Sequence, residues 1–181
     1  MKYSPFSLFS RDFLLKVNAR NSFEIPKFSH ISINLTSRYI VAEKKNILFP
    51  LVGLSLLSGQ HPKVLRAKKS VASFKLKKNS ILGCQLTLRK KKMKSLLNTL
   101  VFVVLPQMKR ERIFSDRTLS EPRVLHLGLT EFLSFPGLEK NFELFETLRG
   151  CSIQFHTNTK TEFEKKLLFT SYNLPVYKEM V

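Results

Sequence analysis

A chain of 181 residues with 43% hydrophobic content is long enough for a core-bearing domain and too apolar for a disordered one. Its longest apolar runs, residues 47–57 and 100–105, fall short of the about 20 residues a membrane-spanning helix needs. The net charge is +18, and it is concentrated: from Lys44 to Arg110 there are sixteen Lys or Arg and no Asp or Glu. Such a block repels itself unless a polyanion neutralises it, which points first to nucleic acid and second to an anionic membrane surface.

In chain order, apolar spacing predicts an amphipathic helix over about 8–19, with Phe9, Phe13, Leu14 and Val17 near one stripe. The scarcity of acids there also fits a transit peptide, but the helix is the preferred assignment. After Pro26, H-I-S-I-N-L alternates, with Ile31, Ile33 and Leu35 on one face and His30, Ser32 and Asn34 on the other. That is a half-buried strand with a polar outer face. A helix is expected over about 43–57, ended by Gly59 and either kinked at Pro50 or regular only from there. Residues 63–68 suggest a short strand, and 69–82 a long loop, a length that is usually functional or disordered. C-Q-L-T-L-R-K (84–90) alternates again, with Gln85, Thr87 and Arg89 outward. A basic-started, then buried, helix follows over 91–105 up to Pro106, and 107–123 is irregular and basic.

The rest of the chain predicts a strand over 123–132, a turn at Phe135-Pro136-Gly137 and a helix over 138–149 closed by Gly150. A strand over 151–157 follows, then a capping box T-K-T-E (159–162) opening a last helix to about Tyr172. Helices alternating with strands that carry polar outer residues predict one α+β domain over 1–181. Its sheet would be mostly antiparallel with helices on one face. The open face would present Ser32, Asn34, Gln85, Thr87 and Arg89, a plausible RNA platform.

Catalytic signatures are missing: no P-loop, dinucleotide-binding, H-E-x-x-H or G-x-S-x-G pattern occurs. The four histidines, His30, His61, His126 and His156, have no metal-ligand spacing and read as strand or loop residues. Glu139, Glu143 and Glu146 fall at i, i+4, i+7, an ordinary solvated helix face. Cys84 and Cys151 are distant and set in apolar surroundings, so they read as two buried free thiols. No catalytic residue, metal site or cofactor is expected. The basic block carries the function. Lys63, Arg66, Lys68, Lys69, Arg89 and Lys90 are candidate phosphate contacts. Asn34, Gln60 and Thr87 add directional hydrogen bonds to bases or 2′-hydroxyls.

Three segments, L-S-G-Q-H-P-K (57–63), R-A-K-K-S-V-A-S-F-K (66–75) and L-G-C-Q-L-T-L-R (82–89), together resemble the fifth protein of the large ribosomal subunit, the family that carries 5S rRNA. Residues 21–35, Phe135-Pro136, Arg149-Gly150 and T-N-T-K-T-E-F-E (157–164) extend the resemblance over about 8–174. It places the N-terminus on the family's first helix, so no cleaved presequence is expected. It implies a place in the central protuberance, a sheet face that binds 5S rRNA with Asn34, Gln60 and Thr87 at matching positions, and other central-protuberance proteins as neighbours. It also implies that the loop, with Lys69, Ser70, Phe74, Lys75, Lys77, Lys78 and Asn79, reaches P-site tRNA. A surface with Lys109, Arg110, Arg112 and Arg117 would bridge to a protein of the small-subunit head.

The chain departs from the family pattern in places. Ser73 and Lys90 stand where the family has glycine, and T-L-S-E-P-R-V-L-H (118–126) replaces a longer Gly-rich segment. N-L-T-S-R-Y stands where the family has a glycine-containing segment after the first strand. This drift and the Phe- and Lys-rich palette point to an organelle-encoded mitochondrial protein, whose RNA is 5S rRNA or a large-subunit rRNA domain. Two other classes compete. A peripheral protein using 63–94 on anionic membranes needs a continuous amphipathic helix, which the alternation at 84–89 opposes. A non-ribosomal RNA-binding protein would share the basic block, but as a nuclease it would lack a carboxylate pair there.

Overall fold

The computed structural model describes residues 5–17, 21–108, 123–145, 148 and 150–175. The elements are α1 (Pro5–Lys16), β1 (Phe28–Thr36), α2 (Arg38–Ala42), α3 (Leu48–Ser58), β2 (Lys63–Arg66), β3 (Ile81–Leu88), α4 (Lys90–Thr99), α5 (Leu105–Gln107), β4 (Val124–Leu129), α6 (Phe142–Phe145), β5 (Cys151–Thr157) and α7 (Glu162–Ser171). The strands form an antiparallel five-stranded sheet in the order β2-β3-β1-β5-β4, the expected α+β class. By contact density the residues fall into two compact units. One comprises 1–30, 109–127 and 155–181, and the other 31–108 and 128–154.

In the second unit, β1 and β3 pair antiparallel with Ile31 opposite Leu88, Ile33 opposite Leu86 and Leu35 opposite Cys84. All six are buried, so one face of this pair is core. Leu54 of α3 and Leu96, Leu97 and Leu100 are buried with them. Burial pushes the thiols of Cys84 and Cys151 up to about 12, so both stay protonated, unreactive core residues. Gly83 lies opposite Thr36, tight against the β1 backbone. A Cβ there would collide with the Leu35 carbonyl oxygen and the Thr36 backbone.

The expected helix at 43–57 is three pieces. Ser37 caps α2 by accepting a bond from the Tyr39 N–H at 3.3 Å, residues 44–47 make a 3-10 turn, and α3 begins at Leu48. Pro50 therefore lies in the first turn of α3, where proline is tolerated. Gly59 closes α3 in the left-handed region at φ 59.

Helix α4 runs into a π-turn at Leu100–Val104 before α5, with the Leu105 N–H donating to the Leu100 carbonyl five residues back. Pro106 explains it. In an α-helix the proline ring would strike the carbonyl of residue 102, and the wider turn relieves that clash.

In the first unit the core is aromatic. Phe28 meets Phe169 edge-on at 5.3 Å and Tyr172 at 4.9 Å, and Phe155 lies 6.1 Å from Phe169. Buried Lys165 directs its ammonium to the Val124 carbonyl at 2.7 Å. The expected alternation in β1 is incomplete: Phe28 is buried and Ser29 exposed at its start, and Ser32 is buried between Ile31 and Ile33.

Three expectations need correction. The capping box is Thr161 with Glu164, two residues later than expected, because Thr159 is fully buried with its hydroxyl 2.8 Å from that of Thr157. The helix at 138–149 is a 3-10 turn at Glu139–Asn141 followed by the four-residue α6, with 146, 147 and 149 outside the described residues. In α1 Phe13 is buried but Leu14 is 51% exposed, so the inward stripe is narrower than expected.

Candidate nucleic-acid interface

The outward-facing residues of β1, β3 and β2 align across the strands. Ser32 lies opposite Thr87, and Asn34 opposite Gln85, which in turn lies opposite Lys63. One cross-strand row is thus Asn34–Gln85–Lys63, amide to amide to ammonium. Alternation forces this arrangement, since with Ile31, Ile33, Leu86 and Leu88 inward, every second residue must face out. Ser32, expected on the open face, is instead buried at 3% exposure, because the Gln154 side chain lies against it and accepts its hydroxyl at 3.1 Å. The Gln60 amide donates to the Thr87 carbonyl at 3.3 Å, which ties the turn after α3 to this face.

Asn34 is the residue that stands out. Its side chain is half-buried, and its Oδ1 is sheltered from solvent without a hydrogen-bond partner. An unmet buried acceptor costs on the order of 1–3 kcal/mol, which a donor supplied by a ligand would offset. Replacing Asn34 with leucine, similar in shape, should therefore raise the free protein's stability by about 1 kcal/mol while weakening RNA binding. Thermal melts and RNA titrations of the same variant check this; a drop in both stability and affinity would refute it.

The segment 67–80 is not the long open loop expected but a continuation of the β2–β3 hairpin. The Ala67 N–H donates to the Ser80 carbonyl and the Asn79 N–H to the Ala67 carbonyl, both at 2.9 Å. Val71 and Leu76 then exchange two bonds of 3.0 Å around a tight turn at Ala72–Lys75, and the Ser70 hydroxyl donates to the Leu76 carbonyl at 3.0 Å. Ile81 and Leu82 already belong to β3. The left-handed residues are Lys75 (φ 55) and Asn79 (φ 67). Ser73 is not among them, so its replacement of glycine does not restrict the turn. Lys90, by contrast, does hold φ 51. A lysine in that region costs about 1 kcal/mol relative to glycine.

Lys63, Arg66, Lys68, Lys69, Lys75, Lys77, Lys78, Arg89 and Lys90 are all exposed. Arg66 pairs with Ile81 beyond a bulge, and Phe74 is 71% exposed at the hairpin tip. Two ion pairs, Lys16–Asp12 and Lys160–Glu24, lie outside the basic block. Lys92 plays a different part, donating to the Gly59 carbonyl at 2.7 Å and so capping the C-terminus of α3. Lys109, Arg110, Arg112 and Arg117 lie outside the described residues. Among the described residues, no helix is long and apolar enough to cross a membrane.

Sequence reasoning missed one cluster, which lies in the first unit. His30 and His156 stack at 4.1 Å with planes 11° apart. Burial first, and then His126, push His156 below the ordinary histidine value of 6.5. The folded chain thus favours neutral His156 and loses that stability as the pH falls from about 6.5 through the lowered value. Alternation at 151–157 made His156 legible as outward, but the partnership with His30 needs the strand order.

A family model for the ribosomal L5P family C-terminus matches residues 81–176, from β3 through α7 and more than half of the chain. Its N-terminal boundary is the first residue of β3, the strand that carries Gln85 and Thr87. The chain belongs to the ribosomal L5P family, non-enzymatic structural proteins of the large ribosomal subunit that bind rRNA.

Proposed function

We propose that the protein is a structural constituent of a mitochondrial large ribosomal subunit, seated on 5S rRNA or a large-subunit rRNA domain in the central protuberance. The observation that carries the RNA reading is the outward face of β1–β3–β2. It joins the row Asn34–Gln85–Lys63 and the neighbouring Thr87 to exposed cations that find no acid within their own block. Cations position an RNA backbone, and the amides and the Thr87 hydroxyl supply directional contacts. The hairpin 67–80 is the part that touches P-site tRNA, and the basic segment 107–123 bridges to the small-subunit head. The resemblance of R-A-K-K-S-V-A-S-F-K to the family's loop supports the first of these, and the charge of the segment supports the second. Mitochondrial residence rests on the Phe- and Lys-rich composition and the lost glycines.

Sedimentation of the tagged protein in organelle lysate tests the assignment. It should peak with the large subunit and the monosome, and a peak elsewhere would sink it. Thr87→Val tests the face itself. Its hydroxyl should be desolvated by bound RNA, so the variant should lose about 1 kcal/mol, roughly five-fold, in rRNA affinity. Unchanged affinity would remove Thr87 from the interface.

A further inference from the structure

Helix α3 leaves a ridge of aliphatic side chains exposed. Pro50, Gly53 and Leu54 form its buried side, and the Phe145 ring of α6 lies 3.4 Å from where a Cβ at Gly53 would stand. Leu48, Val52 and Leu56 recur every fourth residue on the other side, at 61%, 47% and 57% exposure. That spacing stacks them into one ridge about 12 Å long. None of the eleven residues of α3 is charged, and the hydroxyls of Ser55 and Ser58 donate to the Val52 and Leu54 carbonyls at 2.8 and 2.7 Å. The family match begins at residue 81 and leaves α3 outside it. We propose that this ridge docks an amphipathic helix of a neighbouring protein in the large subunit.

Three observations favour a protein helix. The ridge is aliphatic, so it offers no cation to a phosphate and no aromatic face to a base. Its rim carries both signs. Lys44 and Lys45 are exposed in the 3-10 turn that leads into α3, and Glu139 and Glu143 are exposed on α6, which packs against α3, and on the turn before it. RNA and an anionic bilayer are uniformly negative, and the two glutamates oppose both. A protein helix can set acids against the lysines and bases against the glutamates, with its own apolar residues on the ridge between them. Finally, α3 packs on β3 from the core side, so the ridge looks away from the row Asn34–Gln85–Lys63 and stays open when that row is occupied. A second copy would match apolar to apolar, but two chains of net charge +18 repel each other.

Photocrosslinking in intact large subunits tests this, using the full-length tagged chain with p-benzoylphenylalanine in place of Val52. Illumination should give an RNase-resistant adduct with a different polypeptide. Peptide mapping should place the crosslink on a helix whose apolar residues recur three or four apart, with charges of both signs beside them. Leu48→Asp together with Leu56→Asp, on either side of the photoprobe, should lower the yield by about ten-fold, whereas Leu48→Met with Leu56→Met should keep it. The purified Asp pair should fold, by circular dichroism, and bind rRNA as the parent does, because both positions are exposed and face away from the outward row. An RNase-sensitive adduct, a lipid adduct, an adduct of two copies or one confined to the chain itself overturns the proposal. So does the absence of an adduct, or a yield that the Asp pair leaves unchanged. Loss of rRNA affinity in the folded Asp pair would assign the ridge to RNA and likewise overturn it. None of these outcomes bears on the Thr87→Val test of the sheet face, so the two readings fail separately.

Discussion

Changing Lys68, Lys69, Lys75, Lys77 and Lys78 together to alanine should weaken RNA binding by at least about a hundred-fold at 0.1 M salt. It should also flatten the slope of log K against log salt by about 3.5 to 4.5. Each lysine that meets a phosphate releases a condensed counterion, and the slope counts such contacts. The structure makes these five comparable. All are exposed, they sit on both arms and the tip of one hairpin, and the hydrogen bonds that build the hairpin run between backbone groups and the Ser70 hydroxyl. Folding should therefore survive the substitution. Lys92 is left out because its ammonium is committed to the Gly59 carbonyl. Salt titrations by fluorescence anisotropy decide the matter. A parallel slope in parent and variant would mean that the hairpin does not meet phosphate.

Gly83→Ala should destabilise the protein by about 3 kcal/mol and lower its melting temperature by roughly 6–12 °C. The added carbon would meet Leu35 and Thr36 backbone, which cannot swing aside as a side chain can, so β1 and β3 must separate. Because Asn34 and Gln85 are the neighbouring pair in that register, RNA affinity should fall with stability. Gly128→Ala is the control. Its Cβ would meet nothing within 4 Å, and a strand generally gains from the exchange, so stability should hold or rise slightly. Calorimetry of the two variants side by side separates crowding from loss of glycine as such; equal melting temperatures would count against the close approach.

The strands were the most legible part of the chain, for a physical reason. Ile31, Ile33 and Leu35 against Ser32 and Asn34, or Leu86 and Leu88 against Gln85 and Thr87, is a period-two pattern that only a one-sided sheet satisfies. Register is another matter. That Asn34 faces Gln85 and Gln85 faces Lys63 depends on which strands are neighbours, and short-range spacing carries no such information.

Helix α2 escaped notice because R-Y-I-V-A is one turn of mostly β-branched and aromatic residues, nucleated by the Ser37 cap and by packing on β3. The capping box was misplaced because T-K-T-E and T-E-F-E both match the motif, and only the burial of Thr159 decides between them. The hairpin at 67–80 was unreadable as such because its turns use Lys75 and Asn79 in the left-handed region, where glycine is the usual signal. Asn34, Gln60 and Thr87 were found by residue type and resemblance. The geometry adds that the Gln60 amide is already engaged by the Thr87 carbonyl, whereas Asn34 Oδ1 is not engaged at all.

The two paired bonds between Val71 and Leu76 have a consequence for how the protein meets its partners. A flexible basic arm gives up its conformational freedom at the moment of association, and that loss subtracts from affinity. Here the ordering occurs during folding, with no partner present. Association is then closer to rigid docking, its speed set by long-range electrostatic steering and orientation, with little chain rearrangement in between.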